Sequence, residues 1–134
     1  MTQTIALKGD FIRKEGEASA VITPGDLIEF GGANELRVHA TVGGQARRAF
    51  ALENDLIGKG ITDDYAAGDT VQYGVFPHGA EVYANAGEAV TLGDALESGG
   101  DGTLVVSSTP VTGSIVAWAL ETIGSAGRLK VEAN

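Results

Sequence analysis

The chain has 134 residues, 18 of them acidic and nine basic, for a formal charge of −9, and 43% of it is apolar. That length and apolar content suit one domain with a core of its own. The charge argues against nucleic acid and against an anionic membrane surface as partners, because both would repel it. The absence of cysteine excludes disulfides, thiolate metal sites and cysteine nucleophiles.

In chain order, the first dozen residues have no cationic segment followed by an apolar run and read as an extended N-terminal arm, residues 1–12, ahead of a single β-rich domain, 13–134. Pro24-Gly25-Asp26 then reads as a turn feeding Leu27-Ile28, with Pro and Gly in the order that a type II turn favours. Gly31-Gly32 marks a loop. Leu36-Arg37-Val38-His39 alternates with a period of two, as a half-buried strand does.

Past the loop at Gly43-Gly44, Gln45 to Ile57 has some helical spacing at Ala46, Ala49, Phe50 and Leu56. It predicts at most one short helix, stopped by Gly58 and Gly60. The turn-then-strand pattern returns at Ala67-Gly68-Asp69, Ala86-Gly87-Glu88 and Ala126-Gly127-Arg128, at intervals too unequal for a solenoid. The intervening Val71-Gln72-Tyr73, Val82-Tyr83-Ala84 and Leu129-Lys130-Val131 alternate. Leu104-Val105-Val106 and Ile115 to Leu120 are continuously apolar, which suits central strands, with Trp118 in the core. No stretch approaches the roughly 18 apolar residues of a membrane span. Short strands between frequent turns predict an all-β barrel, β-tulip-like or sandwich domain with Gly-Asp turns.

No pattern for catalysis or metal binding emerges. His39 and His78 are the only histidines. They read as the polar face of a strand and as part of the Pro77-His78-Gly79 turn, not as ligands. Asp63-Asp64 and Gly99-Gly100-Asp101-Gly102 lack the spaced acids of a calcium loop. Gly58-Lys59-Gly60 fails as a phosphate loop, since the position five before Gly58 is Glu53 and no hydroxyl residue follows the lysine. There is no Gly-x-Ser-x-Gly elbow, and carboxylate pairs among Glu53, Asp55, Glu81 or Glu97 read as an acidic surface. No catalytic residue, metal or cofactor is therefore expected. Arg47-Arg48 is the only arginine doublet and suits docking against an acidic partner.

Charge is uneven along the chain. Residues 1–48 balance six basic against six acidic side chains, whereas 49–134 hold three basic and twelve acidic. A neutral front is better suited to contact than the acidic remainder.

Gly87 to Leu96 with Asp101 to Leu104 resembles the hairpins of biotinyl and lipoyl carrier domains, but the loop Glu97 to Asp101 lacks the carrier lysine. A wider resemblance covers residues 45–134. It runs through Arg48 to Glu53, Gly58 to Ile61, Tyr65 to Tyr73, Glu81 to Ala84, Gly93 to Ser98 and Gly100 to Leu104. This ensemble of Gly-Asp turns and apolar strands resembles the decoration, or cement, proteins of tailed-virus capsids. The resemblance implies a non-enzymatic virion protein, made in the host cytoplasm and bound to the outer capsid surface. Its partners would be the major capsid protein and its own copies, as a homotrimer, with no nucleic acid or membrane. Contact is expected at Ile5, Leu7, Phe11 and Ile12, by adding a strand or filling a groove, and at Arg47 and Arg48. The alternatives are a tail or head–tail connector subunit, and a β-barrel enzyme or ligand-binding module.

Overall fold

The computed structural model describes residues 3–108 and 114–134. Its first two strands, β1 (Ala6–Lys8) and β2 (Ile12–Ala18), fall within and just beyond the segment expected as an arm. The remainder are β3 (Ile28–Gly32), β4 (Glu35–Val38), β5 (Ala49–Ala51), β6 (Thr70–Val75), β7 (Glu81–Ala86), β8 (Ala95–Ser98), β9 (Leu104–Val106), β10 (Ala117–Ala119) and β11 (Gly127–Ala133). The all-β prediction with Gly-Asp turns holds. The helical spacing in 45–57 does not produce an α-helix. Ala49, Phe50 and Ala51 are all buried in β5, and Asp55–Ile57 form one 3-10 turn ended by Gly58 in the left-handed region. Three small or aromatic residues buried on every side satisfy a strand between two sheets as well as they satisfy a helix face.

Two sheets divide the strands. In the first, the order is β1-β7-β11-β10-β8-β9, and a parallel pairing of Ala86 with Leu104 joins β7 back to β9. β7, β11, β10, β8 and β9 therefore close into a five-stranded barrel, with β1 added along β7. Alternation explains the closure. Val82, Ala84 and Ala86 of β7 point inward with Leu129, Val131 and Ala133 of β11, and the many alanines let a barrel this narrow pack solid. Leu96, Leu104 and Ala117 complete the lining. Each fully buried leucine contributes about 1.5–3 kcal/mol. Trp118, expected in the core, instead sits on the outward position of β10, 37% exposed, with its indole N–H donating to Asn134 Oδ1 at 3.1 Å. Its flanking residues Ala117 and Ala119 take the core positions instead.

The second sheet runs β3-β4-β2-β6-β5, and a bridge between Leu27 and Phe50 brings the start of β3 against β5. Its core gathers Ile22, Ile28, Leu36, Val71 and Tyr73 around Tyr65. The Tyr65 hydroxyl donates to Leu52 O at 2.7 Å, and burial pushes its ionisation up to about 12, so it stays a donor at any physiological pH.

The turn at Pro24-Gly25-Asp26 bolts the two sheets together. Gly25 N donates to Ala51 O of β5 at 2.8 Å, while Asn85 N of β7 donates to Gly25 O at 3.2 Å. The Asn85 amide also donates to Pro24 O and to Asp26 Oδ1, at 3.1 and 2.8 Å, and Arg128 of β11 donates to Pro24 O. Gly25 has φ +95°, and a Cβ there would approach Tyr83 O to 3.0 Å. Conformation and crowding both require glycine at this position.

The same turn chemistry recurs at Gly68-Asp69 and Gly93-Asp94. Each aspartate accepts the N–H three residues back, from Ala66 at 2.8 Å and Thr91 at 2.9 Å. Gly87 and Gly127 do not adopt the left-handed conformation, so those two copies of the pattern are not turns of this kind.

Candidate interaction surface

One end of the second sheet brings together three of the residues that sequence singles out, Phe11, Ile12 and Arg47. Register explains why. Ile12 of β2 pairs with Val75 of β6, and Val75 pairs with Ala49 of β5. One step further along, Phe76 N donates to Arg48 O at 2.9 Å, so the chain before β5 lies beside the chain after β6. Across the sheet, Arg47 lies over Phe30 of β3, its guanidinium carbon 4.4 Å from the ring centroid, within cation–π range.

Between β2 and β6 an open groove of about 350 Å3 is lined by Asp10, Phe11, Ile12, Val75, Phe76 and Pro77. Its floor is rigid. Phe11 stacks on Phe76 at 4.9 Å and 25°, and Phe76 meets the buried Phe50 edge-on at 6.0 Å and 67°. Gly74 makes room for this stack, since a Cβ there would come within 2.7 Å of Phe11 and 3.0 Å of Phe76. Ile12, in the lining, is 64% exposed, and Phe30, on β3 outside the groove, is 52% exposed, an unusual display for large apolar side chains on strands.

The other three expected contact residues take structural positions. Ile5 is fully buried in the barrel core, and its N–H donates to Glu53 Oε2 at 3.1 Å. Burial raises the Glu53 carboxyl above its ordinary value, against the pull of that N–H. Leu7 is half-buried in β1, the edge strand paired along β7. Arg48 is half-buried and donates to Ala46 O at 3.2 Å and Ile115 O at 3.0 Å, which ties β5 to the approach of β10. The described part of the expected arm is thus built into the fold. An apolar residue at the front of a chain is as valuable to the core as to a partner, and sequence does not separate the two uses.

His39 is also placed differently from its sequence reading. It is buried, with Nδ1 2.7 Å from Ser98 Oγ and Nε2 2.9 Å from Gln45 O, and Glu29 Oε1 lies 3.5 Å from Nε2. Gly100 N donates to the same Ser98 hydroxyl at 3.1 Å. Ser98 and His39 are both buried, so their bond ties the end of β8 to the chain after β4 inside the fold. Asp63 and Asp101 each accept a backbone N–H of their own turn, from Gly60 at 2.8 Å and Thr103 at 3.1 Å. Among the described residues no group of three or more His, Cys, Asp or Glu side chains is placed to hold a metal ion. No helix among them is long and apolar enough to cross a membrane.

Fold and site define an all-β, two-sheet module with an open apolar groove at one end. No protein-family model matches the chain, and no curated protein matches it. Among solved structures, the head fiber gp8.5 N base of bacteriophage phi29 is similar over 93% of this chain and 95% of that one, with a TM-score of 0.66 and 18% identity. The two share a fold over nearly their whole lengths.

Proposed function

We propose that the chain is a structural protein of a tailed-virus head, held on the outer capsid surface through the Phe11–Ile12–Phe30–Arg47 end, where it cements neighbouring major capsid subunits. The observation that carries this reading is the full-length fold similarity to a phage head fiber base. The exposed apolar groove supplies the means, since desolvated apolar anchors ringed by polar groups carry most interface affinity. The protein acts without catalysis. By binding only the assembled shell, it favours that state through mass action. Its remaining acidic surface faces solvent, and its copies assemble as a homotrimer.

Copy number on purified particles tests the reading. A cement protein co-purifies in a fixed, high ratio to the major capsid protein, whereas a connector subunit is present in few copies and an enzyme is substoichiometric or absent. Deleting residues 1–12 is a poor probe, because it removes Ile5 from the core. Ile12→Asp is the better variant, with loss of occupancy expected and unchanged occupancy overturning this contact face.

A further inference from the structure

Asp101 and Gly102 sit where the loop between β8 and β9 touches the second sheet. Gly102 O accepts Leu27 N at 2.8 Å and Gly102 N donates to His39 O at 3.3 Å, so two main-chain bonds clip this loop to the chain flanking β3 and β4. Packing requires glycine there. Gly102 has φ +85°, and a Cβ would come within 2.9 Å of Val38 and 3.1 Å of the Asp26 carboxyl carbon. Asp101 is equally fixed. Its Oδ1 accepts both Thr103 N, at 3.1 Å, and the Thr103 hydroxyl, which folds the exposed carboxyl back over the peptide that joins it to Gly102. It is the only aspartate of the chain followed by glycine, and no asparagine is.

We propose that Asp101–Gly102 is a site of spontaneous covalent modification, at which the folded chain converts aspartate into isoaspartate. Gly102 N attacks Asp101 Cγ, an N–C bond forms and the Cγ–Oδ2 bond breaks. Oδ2 leaves as water, with its own proton and the one from Gly102 N, while Oδ1, held by Thr103, stays as an imide oxygen. Water then opens the five-membered succinimide. Addition at Cγ restores aspartate, whereas addition at the main-chain carbonyl carbon of Asp101 breaks its bond to Gly102 N and leaves the chain running through Cβ and Cγ. The sum is an isomerisation that consumes nothing. A reacting pair held together by its turn gains over one that must find its geometry, and glycine carries no Cβ to block the approach. The product has one more methylene in its backbone. Gly102 then no longer meets Leu27 and His39 together, and the clip opens. Nothing in this chemistry depends on a capsid.

The full folded chain, aged in mildly acidic buffer so that a fraction of aspartate carboxyls is uncharged, is assayed by isoaspartyl methyltransferase labelling and peptide mapping. Isoaspartate at position 101 is expected at least about tenfold above that at any other aspartate, with a precursor lighter by one water. Asp101→Asn keeps Oδ1 but carries no negative charge at neutral pH, and should give the same product faster, with release of ammonia. Asp101→Glu, whose ring would need six members, should give none. Hydrogen exchange at the Leu27 amide should quicken in the modified fraction only. Label absent from position 101, spread evenly over the eight aspartates, or present there only after unfolding in urea would overturn modification of the folded chain. An unchanged Leu27 amide in the modified protein would overturn the opening of the clip.

Discussion

The barrel of β7 to β11 closes through the Ala86–Leu104 pairing, whereas in the five-stranded sheet no strand among the described residues pairs with Ile12 to Glu15 on the side away from β6. Closure spends the backbone groups of the barrel on its own strands. The open sheet keeps some in reserve, beside a groove whose floor is held by Phe11, Phe76 and Phe50. Stability and recognition are therefore separable within one small domain, and substitutions should sort by which sheet they touch.

The largest expected effect is in the barrel. Leu129→Ala removes a fully buried side chain at the centre of β11 and should cost about 2–5 kcal/mol in equilibrium denaturation. A loss under about 1 kcal/mol would mean that the barrel can collapse around the cavity.

Next comes the junction. Asp26→Ala strips the acceptor from Asn85 and from Thr23 N, which donates at 3.0 Å, and should cost about 1–3 kcal/mol for each buried donor left unpaired. Asp69→Ala makes the same deletion in an exposed turn, where water replaces the carboxylate, and should cost no more than about 1 kcal/mol. Asp26 also carries a pH signature. Burial raises its carboxyl above the ordinary value, outweighing the bonds from Asn85 and Thr23 and the proximity of Arg128. The fold thus holds this proton more tightly than the unfolded chain does. That contribution is full below the unfolded value and is lost as pH rises through the folded one. Denaturation midpoints from pH 7 downward should show the wild type gaining on Asp26→Asn as acid is added, with Glu53 acting alike in both. A constant gap would remove Asp26 as the source.

These contrasts show what sequence encodes well and what it leaves ambiguous. The turns at Gly25, Gly68 and Gly93 are legible because positive φ and a following aspartate are local requirements. Alternation likewise exposes β7 and β11, whose inward residues repeat every second position. Burial by distant segments is not local. His39 reads as polar-face until Ser98 and Gln45 close over it, and Trp118 reads as core until its alanine neighbours take the inside. For the surface, Phe11, Ile12 and Arg47 are chemically suitable on paper. Only the β3–β5–β6–β2 register puts them at one end and adds Phe30 from seventeen or more residues away.

Gly74→Ala probes the groove floor itself. The added methyl must displace the Phe11–Phe76 stack, and strained packing of this kind costs about 1–3 kcal/mol. Because Phe76 also touches Phe50, the stability loss should be accompanied by altered near-ultraviolet dichroism from the aromatic stack.

Ile12→Asp lies at the other extreme. Its side chain is mostly in water, so stability should stay within about 0.5 kcal/mol of the wild type. Its effect should appear only in occupancy on particles. If Ile12→Asp unfolds the chain, the exposed isoleucine serves the fold. If it spares both folding and binding, the groove is not the contact. Loss of binding with folding intact is the result that separates the open sheet's role from the barrel's, because the same stability assay that registers Leu129→Ala would then read nothing at Ile12.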